Sequence, residues 1–435
     1  MRFKTLTFAL TGAMLAAGSA HAATDIVFWH SMEGALGDRV KDLVNEFNDS
    51  QSDYQVKATY KGSYGESMNA GIAAFRGGNA PDILQVFEVG TATMMYAKGA
   101  IQPVQEMSEQ VGDPIDPDDF LGAVASYYSS SEGKLVSMPF NSSTPVFYYN
   151  KDLFEEAGLD PDNPPKTWEE VAEAGKKLRE SGAQCGYTTS WPAWVQLETF
   201  GAWHNIPYAS QNNGFDGLDA RLEIDQPLYI KHLSFLAEMS QEGTFSYGGR
   251  GDDPNSLFTS GKCGMFTGSS GNRANIIKTG NFEFGTSSLP YHADAEGAPQ
   301  NSIIGGASLW VFANKSDDTY KGVTAFFKFL SSPEKSAEWH QKTGYVPVTK
   351  AGYEVTKEAG YYEENPGSDV AVKQLDAETT EFSRGIRLGY LPQIRDVEEG
   401  AMEDIFSGKV SAEEGVETMV KRANELLERF EKSVK

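Results

Sequence analysis

Six histidines (His21, His30, His204, His232, His292 and His340) and two cysteines (Cys185 and Cys263) are the residues of this 435-residue chain best suited to metal or nucleophilic chemistry. None is spaced for it. No His-Glu-x-x-His sequence sets two imidazoles one helical turn apart, and two isolated cysteines do not make a zinc site. Gly268-Ser269-Ser270-Gly271 departs from the Gly-x-Ser-x-Gly nucleophile elbow, and no P-loop occurs. The 61 acidic residues offer so many accidental pairs that they single out none. An enzyme is therefore not expected, nor a cofactor or a metal.

Binding chemistry is better represented. Ser269-Ser270-Gly271 precedes a helical pattern through Ala274, Ile276 and Ile277, where free amides can face an anion. Gly305-Gly306-Ala307 stands just before a strand-like run from Ser308 to Phe312, where main chain can approach a ligand closely. Trp191-Pro192-Ala193-Trp194 sets two indoles three residues apart, which suits stacking on a polyol, attraction of a quaternary ammonium, or core packing.

The elements that must position these groups alternate. Ile26–Trp29 reads as a strand, and Glu33–Asn48 as a helix with Leu36, Val40, Leu43, Val44 and Phe47 on one face. Tyr54–Tyr60 is strand-like, Tyr64–Arg76 helical, and Asp82–Phe87 a strand again. This β-α-β order implies parallel-rich sheets covered by helices, with ligands bound beyond the strands' carboxyl ends. The loops at His30-Ser31-Met32, Lys61–Tyr64 and Glu88-Val89-Gly90 are then the places for a site. Thr167 with Glu170 is a capping box opening a helix to Leu178, and an amphipathic helix through Val416, Met419, Ala423, Leu427 and Phe430 ends the chain.

Several segments together resemble extracellular solute-binding proteins of the maltose-binding-protein class. They are Tyr149-Asn150-Lys151-Asp152-Leu153-Phe154, Pro165-Lys166-Thr167-Trp168-Glu169-Glu170, Gly305-Gly306-Ala307-Ser308-Leu309-Trp310-Val311 and Phe329-Leu330-Ser331-Ser332-Pro333-Glu334. Phe28–Gly34, Gly71–Met95, Asn141–Pro145 and Trp339–Tyr345 narrow the likeness to the branch of that class that carries sn-glycerol 3-phosphate. The resemblance implies an α/β, two-lobed periplasmic binding protein fold with a ligand cleft between noncontiguous lobes. It places the lobes at 23–140 with 303–346 and at 141–302 with 347–435, the chain crossing near 137–145, 300–305 and 345–350.

The resemblance also implies ligand contacts at Tyr64, Glu88, Ser143, Ser269, Gly306, Tyr345 and Arg395, with Trp191 and Trp194 lining the same cleft. In that scheme Arg395 forks onto two phosphate oxygens and Glu88 accepts from the glycerol hydroxyls, with Arg387 as second candidate for the phosphate. The implied partners are a small-molecule glycerol phosphate and the inner-membrane permease subunits of an ABC transporter with their ATPase; the two indoles, broader than glycerol 3-phosphate requires, add the expectation that glycerophosphocholine binds as well. A monomer is expected, and a sugar-binding protein of the same fold is the alternative.

Bulk properties agree with this reading. Arg2 and Lys4, an apolar stretch Leu6–Ala17 and then Ala20-His21-Ala22 have the order of a signal peptide over residues 1–22, which implies a periplasmic protein. Loss of Arg2 and Lys4 with that leader takes the net charge from −24 to −26, a surface that repels nucleic acid and anionic lipid. A phosphorylated ligand therefore needs a locally built anion site. In an oxidising compartment Cys185 and Cys263 can form a bridge or stay as two buried thiols.

Overall fold

The computed structural model describes residues 23–376 and 380–435; the expected signal peptide, residues 1–22, lies outside the described residues. Among the described residues, ten strands build two sheets. They are β1 (Thr24–His30), β2 (Tyr54–Tyr60), β3 (Ile83–Phe87), β4 (Ile101–Gln102), β5 (Met138–Ser143), β6 (Pro145–Asn150), β7 (Cys185–Thr189), β8 (Cys263–Ser269), β9 (Phe284–Ser287) and β10 (Gly305–Phe312). The first sheet has the order β2-β1-β3-β10-β4, with β5 also pairing β10, and the second runs β7-β8-β6-β9. Helices cover both. Phe28, Val40, Phe47 and Phe326 are buried in the first lobe, and Trp168, Leu178, Tyr187 and Met265 in the second.

The expected helices and strands form where their periodicity puts them. The helix Gly34–Ser50 buries Val40, Leu43, Val44 and Phe47, the stripe visible in the sequence. Thr167 and Glu170 close a capping box on the helix Trp168–Glu180, and Ser411 with Glu414 does the same for the terminal helix Ala412–Val434. Among the described residues no helix is long and apolar enough to cross a membrane. Cys185 and Cys263 are joined as a disulfide between the adjacent strands β7 and β8.

Strand direction departs from the parallel-rich expectation. β1 is parallel to β2 and β3, but β10 is antiparallel to β3, β4 and β5, and β6 is antiparallel to β8 and β9. The reason lies in the wiring. A strand that enters a lobe from the other one starts at the lobe junction, so β6 and β10 run away from it, whereas β1, β3, β5 and β8 run toward it. The carboxyl ends of the latter and the amino end of β10 thus meet at one place.

The chain crosses between lobes at Thr144, between β5 and β6, and again before β10. The third crossing is later than 345–350. Leu121 N–H donates to the Val348 carbonyl, and Tyr362 stays beside His340, so the helix Lys350–Glu358 and the residues after it remain on the first lobe. Gln374 marks the passage: it donates to the Pro145 carbonyl (2.7 Å), and its own carbonyl accepts from Ser302 N–H (2.8 Å). All three crossings are laced together there.

Candidate ligand cleft

Where those strand ends converge lies a cleft of about 670 Å³. All nine residues implied by the resemblance line it. From the first lobe come Tyr64, which opens the helix Tyr64–Arg76 behind the Ser63–Glu66 capping box, and Glu88, the first residue beyond β3. A buried amide relay sets the floor. Gln85 accepts from Ser31 N–H (2.8 Å) and donates to Asn141 (2.8 Å), and Asn141 donates to the Tyr64 hydroxyl (2.9 Å). The Tyr64 ring stacks on Phe87 with centroids 5.4 Å apart. Burial holds its phenol well above the ordinary value, so the cleft presents it as a neutral hydroxyl.

Ser143 ends β5 opposite Gly305, and Ser269 ends β8, where its Oγ accepts from Gly271 N–H at 3.1 Å. Gly306 adopts φ +92°, and a Cβ there would stand 1.8 Å from the Asn141 carbonyl oxygen. Only glycine lets β10 pass β5 so closely. Tyr345 comes from the loop after the helix Pro333–Thr343 and stacks parallel to Trp339, its hydroxyl 3.9 Å from Met32 Sδ.

The two indoles differ in standing. Trp194 is buried with its ring against Gly305, where a Cβ would lie 2.2 Å from it, and opens a π-helical turn, Trp194–Thr199. Trp191 is half-buried at φ +48°, donates from Nε1 to Asp252 (3.0 Å) and faces Tyr64 at 6.4 Å. Both indoles line the cleft, Trp194 as a buried residue packed into the core and Trp191 as the more exposed of the two.

Arg395, one turn into the helix Leu391–Phe406, is bracketed rather than free. Its Nε and Nη2 bind both oxygens of Glu198 (2.6 and 2.8 Å), and Nη2 also reaches Glu88 (2.7 Å). Nη1 makes no hydrogen bond with the described residues. The expected two-nitrogen fork onto a phosphate is thus not what this geometry offers: one edge of the guanidinium is spent on carboxylates, and a single nitrogen remains. Burial opposes its charge, but Glu198 and Glu88 hold the guanidinium well above its ordinary value. For Glu88, burial outweighs Arg395, and its carboxyl is pushed upward. Arg250, the other arginine on the cleft, is likewise committed to Glu403 through Nε (2.7 Å) and Nη2 (2.8 Å).

Glu198 was not singled out from the sequence, although it follows Trp194 by four residues, a spacing that shares a helical face. Arg387 is not in the cleft. Its guanidinium packs 4.2 Å from the Phe215 ring centroid and donates to main-chain carbonyls of Ser126 and Tyr127, so it cannot reach a ligand there.

Glu399, buried on the same helix as Arg395, has a pKa pushed up to about 7 by burial, against the pull of Arg395 and Arg250. A carboxyl raised on folding adds stability below its unfolded value, about 4.3, and that contribution is lost as pH rises through 7. Glu399→Gln removes the dependence. Urea denaturation is expected to show the variant gaining on the parent between pH 4.5 and 7, by up to about 3 kcal/mol, and no further change above. A constant difference across that range would contradict the assignment.

Two lobes, three crossings and a junctional cleft define a solute-binding protein, and the chain belongs to the bacterial extracellular solute-binding protein family, whose model matches residues 42–367. It is a periplasmic protein of that family. Among its relatives is the sn-glycerol-3-phosphate-binding periplasmic protein UgpB of Escherichia coli K12, 53% identical over 420 residues, 96% of each chain. The corresponding protein of E. coli strain 536 is 52% identical over 100% of this chain and 99% of its own. Of solved structures, UgpB from Mycobacterium tuberculosis in complex with glycerophosphocholine is 26% identical with a TM-score of 0.79, covering 94% of this chain and 99% of that one. The GacH receptor of Streptomyces glaucescens, solved unliganded and with acarbose, shares the fold at 19% identity and a TM-score of 0.78, covering 94% and 100%.

Proposed function

We propose that the cleft captures sn-glycerol 3-phosphate, and glycerophosphodiesters such as glycerophosphocholine, for delivery to the inner-membrane permease subunits and ATPase of an ABC transporter. The observation that carries this reading is Arg395, a buried arginine clamped by two carboxylates from different lobes with one nitrogen left over. The clamp cancels the long-range field but leaves a directed N–H group. Beside it the Ser143 and Ser269 hydroxyls and the main chain at Gly306 supply further polar partners for an anion, and Glu88 has a second oxygen for a diol. The E. coli and M. tuberculosis relatives, named for glycerol 3-phosphate and solved with glycerophosphocholine, support the same ligands. The protein acts as a monomer without turning its ligand over. It closes because only the closed state lets both lobes touch one small molecule.

Calorimetry with four ligands tests this. Glycerol 3-phosphate and glycerophosphocholine are expected to bind one to one near micromolar affinity, roughly −8 kcal/mol; maltose and inorganic phosphate are expected to bind far more weakly. Tight maltose binding would favour the sugar-binding alternative.

The indoles separate monoester from diester. Trp191→Ala is expected to leave the melting temperature nearly unchanged and to weaken glycerophosphocholine more than glycerol 3-phosphate, because a trimethylammonium against an indole contributes up to about 2 kcal/mol. Trp194→Ala is expected to lower the melting temperature and weaken both ligands. Equal losses for the two ligands in Trp191→Ala would remove choline from that wall.

A further inference from the structure

A cleft that takes an anion is here itself acidic. Its walls carry the carboxylates of Glu33, Glu88, Asp252 and Asp253 against the guanidiniums of Arg250 and Arg395, and among the described residues no lysine or histidine lines it. Arg250 is neutralised by Glu403. Arg395 is shared by two buried acids, Glu198 and Glu88. With both ionised, the innermost cluster holds one negative charge more than it can pair, and a phosphate ester adds at least one more. Like charges crowded into a desolvated site are relieved when one of them takes a proton.

The hydrogen bonds show which. Glu198 spends both oxygens on Arg395, Oε1 on Nε and Oε2 on Nη2, and so stays ionised. Glu88 spends only Oε1, and its Oε2 takes no hydrogen bond from another described residue. Burial already pushes the Glu88 carboxyl upward, with Glu198 adding to the push and Arg395 opposing it. Tyr64, Tyr127, Tyr128 and Tyr345 are close enough to feel Glu88, but burial holds all four phenols above their ordinary value, so none adds a charge. Glu398, near Glu198 and Arg395, is held well above its ordinary value by burial and is neutral before a ligand arrives. Glu399, on the same helix, does not line the cleft.

We propose that Glu88 selects the ligand's charge: as a phosphate ester binds, Glu88 Oε2 takes one proton from solvent and donates it to a phosphate oxygen. This rests on the phosphate-ester reading of the cleft. One O–H bond forms and none breaks in the ligand, and the remaining lone pair of Oε2 still accepts from the diol. For a phosphodiester, the proton taken up equals the charge brought in, and the cluster's net charge is unchanged. A phosphomonoester, whose second ionisation lies near pH 6, brings a second charge and needs more of that compensation.

Glycerophosphocholine is the probe, because its phosphodiester has no second ionisation and any proton taken up is held by the protein. Calorimetry in two buffers of different ionisation enthalpy counts that proton. Uptake is expected to reach about one proton between pH 7 and 9, with affinity falling by about tenfold per pH unit where it does. Glycerol 3-phosphate is expected to take up at least as many. Glu88→Gln, whose amide imitates the protonated acid, is expected to bind without uptake and, at pH 9, at least about tenfold more tightly than the parent. Glu399→Gln removes the neighbour that titrates near 7 and is expected to keep the uptake. If Glu88→Gln does not fold, Glu198→Gln decides: Glu88 then has Arg395 to itself, and most of the uptake is expected to vanish. Uptake that persists in Glu88→Gln, survives whole in Glu198→Gln or disappears in Glu399→Gln overturns the assignment to Glu88. Fewer protons with the monoester than with the diester overturn the charge balance. Binding with no proton taken up across the range overturns the proposal alone, whereas no binding of either ester at any pH overturns the phosphate-ester reading and the proposal with it.

Discussion

Lysine in place of Arg395 is expected to lower the affinity for glycerol 3-phosphate by at least about thirtyfold, although the charge is kept. The guanidinium holds two acids at once: Nε and Nη2 bind Glu198, Nη2 also bridges to Glu88, and Nη1, without a hydrogen bond to the described residues, is the nitrogen proposed to meet the ligand. An ammonium is one point and cannot serve all of them. Disturbing a buried, hydrogen-bonded charge pair costs about 2–5 kcal/mol, which sets the thirtyfold floor. Calorimetry on the parent, Arg395→Lys and Arg387→Lys discriminates. Arg387→Lys is expected to bind like the parent, because Arg387 lies against Phe215 outside the cleft. If Arg395→Lys stays within threefold of the parent, Nη1 is not the phosphate contact.

Alanine at Gly306 is expected to destabilise the protein by about 3–5 kcal/mol, the sum of left-handed backbone strain and overpacking. Its Cβ would meet the Asn141 carbonyl oxygen at 1.8 Å, and neither partner can yield, since both belong to the paired strands β5 and β10. Asn141 also carries the relay to Gln85 and Tyr64, so displacement there loosens the cleft floor as well. Gly122→Ala is the control: nothing lies within 4 Å of its Cβ, and the position is helical. Helix propensity predicts a change there of at most about 1 kcal/mol, in favour of alanine. Urea denaturation of both variants checks the pair, and a Gly306→Ala loss below 1 kcal/mol would show that the strands can part.

Much of this molecule is written locally. The stripe of Val40, Leu43, Val44 and Phe47, the capping box of Thr167 and Glu170, and the terminal amphipathic helix are decided within one or two turns of chain, where period and hydrogen bonding act on near neighbours. The cleft's location followed too, because strands that end at a lobe junction place their next residues there: Glu88 after β3, Ser143 at the end of β5, Ser269 at the end of β8. Tertiary structure alone decided the partners. Arg395 meets Glu88 across 307 residues and Glu198 across 197, and no local pattern distinguishes those two acids from the other carboxylates. The same holds for Arg387, for the disulfide between Cys185 and Cys263, and for the late crossing at Gln374. Such choices depend on which faces the two lobes bring together, a property of the packed chain as a whole, whereas propensity and periodicity describe one segment at a time.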